Sequence, residues 1–157
     1  VTQGGIMWDF AGEPPVTEMT ADECWHLLRH AEVGRLAVSV RDDVDIFPLN
    51  FVVSDGAIYF RTSPGSKLAE LTANPRVALE ADRYDDITAA SVIVKGVAER
   101  LETQSEIDEA DQLELHPWIP TLKYRWVRVV PTRITGRRFT RGPEPDRYDV
   151  VDGGPTS

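Results

Sequence analysis

The sequence predicts a mainly β domain: an antiparallel sheet, closed or half-closed into a barrel, with helices at its flanks. Three observations carry this expectation. Short alternating apolar runs follow one another along most of the chain, among them "GRLAVSV", "GAIYFR" and "SVIVKGVAE", and a period of two marks half-buried strands. Asp55-Gly56 stands between two such runs, a pair suited to the left-handed positions of a tight hairpin turn. Only three segments carry helical spacing, too few to cover both faces of six or so strands, so the sheet is expected to curl on itself.

Taken in order, "TADECWHLLRHA" (Thr20–Ala31) reads as the first helix. Thr20 and Glu23 stand three apart as a capping box, and Cys24, Leu27, Leu28 and Ala31 make an apolar stripe. Gly34 ends it. "GRLAVSV" is a strand, and "DIFPLNFVV" (Asp45–Val53) a second one. Pro48 cannot donate to a ladder, so that strand should lie at an edge or carry a bulge. The run to Arg61 is the third strand. Ser63 and Pro64 then make an N-cap and first-turn pair for the helix "GSKLAELTAN", which Asn74-Pro75 closes. "RVALEAD" and "ASVIVKGVAERL" are further strands. "TQSEIDEADQLEL" is an acidic helix capped by Thr103 and Glu106, with Ile107, Ala110 and Leu113 as its apolar stripe. Its charge reads as a solvated face. "KYRWVRVVPTRITGRRF" gives one or two closing strands, interrupted at Pro131. The organisation is an N-terminal extension (1–18), one domain (19–141) and a proline-, glycine- and acid-rich tail (142–157). There is no internal repeat.

Composition narrows the function classes. The 157 residues are 41% hydrophobic and 27% charged, enough for one core and short for two domains. Lys+Arg is 17 against Asp+Glu 26, a net charge of −9. Such a surface repels phosphate backbones, so nucleic acid is not an expected partner. Cys24 is the single cysteine, which excludes an internal disulfide and a cysteine cluster for zinc and points to a reducing, cytoplasmic setting. No run approaches the about 18 apolar residues of a membrane span, and the N-terminus has no signal-like apolar core.

Against this acidity, "YFRTSPGSKLAEL" (Tyr59–Leu71) is anomalous. It gathers Arg61, Thr62, Ser63, Gly65, Ser66 and Lys67 at a strand-to-helix corner. The first amides of a helix lack intrahelical partners and its dipole is positive there, so hydroxyls and cations at that place compose a phosphate-sized anion site. It is not a nucleotide-binding P-loop, whose earlier glycine is missing.

The order of "GRLAVSV", "FPLNFVV", "DGAIYFRTSPGSKLAELTANPRVALEAD", "SVIVKGVAE" and "ITGRR" resembles the pyridoxamine 5'-phosphate oxidase-like flavoproteins, from about Thr20 to Phe139. The resemblance implies a split β-barrel that dimerises and holds FMN in a groove between subunits. It implies that Arg61, Thr62, Ser66 and Lys67 hold the FMN phosphate, and that Pro48, Leu49, Asn50 and Phe51 lie along the isoalloxazine edge. Ala90 and Ser91 would approach the flavin from the partner chain. The implied function is that of an oxidoreductase working through its flavin on a small-molecule substrate. In related branches F420 or heme takes the same groove, the latter two with F420-dependent reduction or non-catalytic binding as the alternative functions. The substrate of the oxidases proper is not implied: their C-terminal substrate-gripping histidine has no counterpart in "TGRRFTRGPEPDRYD". A homodimer is also expected from the open strand edges of so small a barrel, with Tyr124–Phe139 as the candidate interface.

Other constellations carry less. His26 and His30 stand i, i+4 on one helix without an evident third ligand, so no metal is expected. His116 and Trp118 share the loop "LHPWIP", which could line a pocket mouth but is read as packed loop residues. Three scattered histidines without a nucleophile elbow give no hydrolase triad. Trp126 and Tyr124 read as core or interface aromatics, and Cys24 as a small core residue. No residue is singled out as a catalytic acid or base.

Overall fold

In the computed structural model, residues 14–119 and 122–147 are described. The elements run β1 Val16–Glu18, α1 Ala21–His30, β2 Val33–Val40, β3 Asp43–Asn50, β4 Val52–Ser54, β5 Ala57–Thr62, α2 Ser66–Ala73, β6 Arg76–Tyr84, β7 Thr88–Arg100, α3 Gln104–Asp111 and β8 Arg125–Thr140. All strand pairs are antiparallel, in the order β3-β2-β6-β7-β8-β5-β4, with β1 added on β8. The protein is a split β-barrel: an antiparallel sheet curled around one core, with few helices.

The strands β3 and β4 end the sheet on opposite sides, yet a single residue, Phe51, joins them. The sequence reads Asp45–Val53 as one strand. The structure divides it at Phe51, whose buried ring turns the chain from one sheet edge to the other. Its amide leaves the β-ladder to reach the Glu32 carbonyl at 3.4 Å. This corner curls the sheet. Pro48 lies on the edge strand β3, opposite Arg35 of β2, where a missing donor costs least. Pro131 does not interrupt β8. The register slips between Lys95 and Gly96, so that Pro131 and Arg133 face consecutive residues of β7 and Thr132 is the extra residue of a bulge. The Thr132 hydroxyl donates to the Lys95 carbonyl at 3.2 Å.

Local chemistry sets the helices. Thr20 and Glu23 form the full capping box of α1, and the stripe Cys24, Leu27 and Leu28 is buried against the sheet. The fit is close: a Cβ on Gly136 of β8 would stand 2.5 Å from the Cys24 sulfur. Thr103 caps α3 by accepting from the Glu106 amide, and the helix stops at Asp111 rather than continuing to Leu115. The Asp55-Gly56 turn has φ of 48° and 69°, as a two-residue hairpin with both central residues left-handed requires. Residues 16–18, within the stretch read as an extension, pair with Arg137–Phe139. Residues 1–13 and 148–157 of the extension and tail lie outside the described residues.

One core fills the barrel, centred on Leu36, Ile58, Phe60, Leu79, Val92, Val94 and Val129. Each fully buried side chain of this size contributes about 1.5–3 kcal/mol relative to exposure. A smaller cluster of Leu101, Ala110 and Trp126 seats α3 on the outer face of β8, where the Trp126 indole donates to Asp111 at 2.7 Å.

Candidate cofactor site

The end of β5 and the start of α2 place the anomalous corner at the mouth of a cavity of about 370 Å³. Ile58, Phe60 and Thr62 point into the barrel while Arg61 leaves from the opposite face, as strand alternation demands. The sequence places the cap of α2 at Ser63; the structure places it at Gly65, which offers no side-chain hydrogen bond. A serine cap would occupy one of the first amides, so the glycine leaves them to whatever enters the cavity. Ser66 opens the helix, and its side chain lies outside the described atoms.

Leu49, Asn50, Arg61, Thr62 and Lys67, all expected from the sequence, meet in this cavity. Pro48 is exposed on the β3 edge, and Phe51 is in the core; neither lines it. Ala90 and Ser91 lie on β7 beside Phe139, around separate surface concavities of the same chain. Phe47, Leu115, Pro117 and Lys123 also line the cavity and were not singled out by the sequence. No local pattern marks them: Leu115, Pro117 and Lys123 come from the stretch between α3 and β8, some fifty residues beyond the corner.

Electrostatics distinguish this cavity. Arg61, Lys67 and Lys123 line it without a carboxylate among the described lining residues. None of the three forms an ion pair among the described residues. The Arg61 Nε is buried with no hydrogen-bond partner, although its guanidinium rests 5.3 Å from the Trp126 ring centroid. The Lys67 ammonium stands 4.3 Å from the Phe47 ring centroid. Burial, and then the positive charge of Lys123, depress the Lys67 pKa below its ordinary value, with Glu70 opposing. Burial, and then the nearby Asp45, raise the Glu70 carboxyl pKa. Unpartnered donors and uncompensated positive charge make this a place where an anion replaces lost solvation.

Asn50 and Thr62 of the lining also make hydrogen bonds within the chain. Asn50 donates to the Glu32 carbonyl at 3.0 Å and accepts the Trp118 amide at 3.0 Å, while the Trp118 indole donates to Glu32 at 3.1 Å. Both ends of the Asn50 amide are thereby used inside the chain, pinning the His116–Trp118 loop beside the cavity. Thr62 is buried and its hydroxyl donates to the Ser63 carbonyl at 3.3 Å. His26 and His30 face each other at 4.3 Å, and His30 Nδ1 lies 2.8 Å from the His26 carbonyl. Among the described residues no three His, Cys, Asp or Glu are grouped to hold a metal, and no helix is long and apolar enough to cross a membrane.

The solved structures most informative for this chain share its architecture. A Corynebacterium glutamicum protein named for pyridoxamine 5'-phosphate oxidase is 45% identical, with a TM-score of 0.74 over 83% of this chain and 98% of that one. The FAD-binding protein of Mycobacterium smegmatis is 42% identical, with a TM-score of 0.70 over 80% and 99%. A FAD-binding protein of Mesorhizobium loti is 26% identical, with a TM-score of 0.69 over 78% and 97%. Residues 20–138, from the cap of α1 to the last turns of β8, match the pyridoxamine 5'-phosphate oxidase family, and the chain belongs to that family.

Proposed function

We propose that the protein binds a flavin, FMN in the first instance, and serves as an oxidoreductase through it. The observation that carries this is the cation-lined cavity of Arg61 and Lys67, with a buried unpartnered Nε, in a chain of net charge −9. The residues fit the group. Arg61 and Lys67 would hold its phosphate beside the uncapped amides of α2. Leu49 and Phe47 would supply an apolar wall for the part of the ligand beyond the phosphate. The bound flavin would supply the hydride or electron transfer; the protein's part is to bind, orient and shield it. The FAD-binding relatives support a flavin generally.

A homodimer belongs to the same proposal. Ala90 and Ser91 do not reach the Arg61 cavity within one chain, and only a second copy could bring them to it. Val97 and Val130 are cross-strand partners and, with Ile93, leave an exposed apolar strip on β7 and β8. Trp126, Val127 and Val129 are spent on the protein's own core, so the interface would use the outward half of the stretch Tyr124–Phe139.

The test is the absorbance spectrum of the purified protein with mass measurement of whatever heat releases. A yellow protein releasing FMN or FAD supports the reading. Release of F420 or heme replaces the cofactor. A colourless protein that neither FMN nor FAD stabilises against heat overturns it.

A further inference from the structure

We propose that Lys123 is a third cation of the anion pocket, and that together with Arg61 and Lys67 it binds a dianionic phosphate group. The inference rests on the reading of this cavity as the seat of the flavin phosphate and adds a residue from a different part of the fold. Lys123 is not part of the β5–α2 corner. It precedes β8, and the β5–β8 ladder begins where Arg125 faces Thr62. Two residues before that pair, Lys123 shares a cavity lining with Ser63, Pro64 and Gly65, at the entrance to α2. Lys123 lines the same cavity as Arg61 and Lys67, is half-buried, and has no ion-pair partner among the described residues.

Two of the three charges act on one another directly. Burial first, and then Lys123, lower the Lys67 pKa, against the smaller opposing pull of Glu70, whose own neighbours are Asp45 and Asp43. Like charges brought together with only Glu70 opposing them are unfavourable in the ligand-free protein. The described lining holds all three cations and no carboxylate. A phosphate monoester carries about −1.5 to −2 at neutral pH, enough to relieve three cations where a single carboxylate would not.

The experiment compares the full-length parent with Lys123→Gln and Lys123→Arg, each titrated with FMN, riboflavin and inorganic phosphate. Lys123→Gln should weaken FMN and inorganic phosphate about tenfold and leave riboflavin unchanged, and Lys123→Arg should restore both anions. A second readout is independent of flavin. The pH dependence of amine labelling at Lys67, read by mass spectrometry, should shift toward the ordinary lysine range in Lys123→Gln. If Lys123→Gln keeps parental FMN affinity while Arg61→Ala loses it, or if Lys67 labelling does not shift, Lys123 is not part of the site. If the parent binds FMN no better than riboflavin, the phosphate seat itself is wrong, and this inference falls with it.

Discussion

Two sets of cations in this molecule have opposite surroundings. On the open faces of the sheet, three arginines are answered by acid. Arg35 lies 3.2 Å from both Glu80 and Asp82, Arg128 bridges Glu99 and Glu106 at 2.6 and 3.1 Å, and Arg138 meets Glu23 at 2.9 Å. In the cavity at the β5–α2 corner, Arg61, Lys67 and Lys123 have no such partners among the described residues. What sets the cavity apart is that three cations share one lining with no carboxylate among its described residues. The paired set holds strands and helices together. In the unpaired set the charged form of Lys67 is disfavoured in the ligand-free protein, and the proposed role of the set is to bind an anion.

The comparison breaks most readily at Arg61. Arg61→Ala should lower FMN affinity about ten- to a hundredfold, the worth of one charge-assisted hydrogen bond of roughly 1.5–3 kcal/mol, with riboflavin affinity unchanged. Arg128→Ala, on the paired side, should leave FMN affinity as it is. Fluorescence titration of both variants would show the contrast, and equal losses would erase the distinction.

Stability should respond the other way round. Arg128→Ala strands Glu99 and Glu106, and since all three groups are partly exposed the loss is limited to about 1 kcal/mol. That corresponds to a fall of about 2–4 °C in the melting temperature of a domain this size. Lys67→Met, by contrast, removes an amine whose charged form the fold disfavours, so the ligand-free protein should melt no lower, and somewhat higher, than the parent. Its melting temperature should also lose the rise that FMN gives the parent. Thermal melts with and without FMN test both.

A smaller effect separates the two sets by pH. Hydrogen bonds from Thr20, then the Arg138 guanidinium, hold the Glu23 carboxyl below its ordinary pKa. Its contribution is therefore present above the unfolded carboxyl value and is lost as pH falls through the lower folded value. Lys67 has the opposite sense. Its folded pKa is lowered, so the penalty is full below that value and vanishes as pH rises past the unfolded lysine range. Glu23→Gln should flatten the acid limb of the stability profile, and Lys67→Met the alkaline limb. If each variant left its limb unaltered, the assignment of these groups would fail.

What could be read in advance follows from sequence distance. The corner from Tyr59 to Leu71 is contiguous, so its donors could be seen together before any fold was known. Pro48 was legible as an edge or bulge position, because a missing amide leaves few places in a sheet, and the structure has it at an edge. The division at Phe51 was not: an apolar run looks the same whether it continues or turns from one sheet edge to the other. The bulge at Thr132 hides in the same way, since one extra residue beside Pro131 preserves a long strand that the proline alone seems to interrupt. Lys123 was illegible for a third reason. Only the pairing of Thr62 with Arg125 brings residues some fifty positions apart to one wall.

The most direct test of the account is the difference in affinity between FMN and riboflavin for the ligand-free parent protein, measured by calorimetric titration in one buffer. The two ligands share the ring system and the ribityl chain and differ in the phosphate. If unpaired cations at the β5–α2 corner are the anchor, FMN should bind at least about a hundredfold tighter, the equivalent of about 2.7 kcal/mol. Equal affinities would mean that the unpartnered Arg61, Lys67 and Lys123 do not serve a phosphate at all.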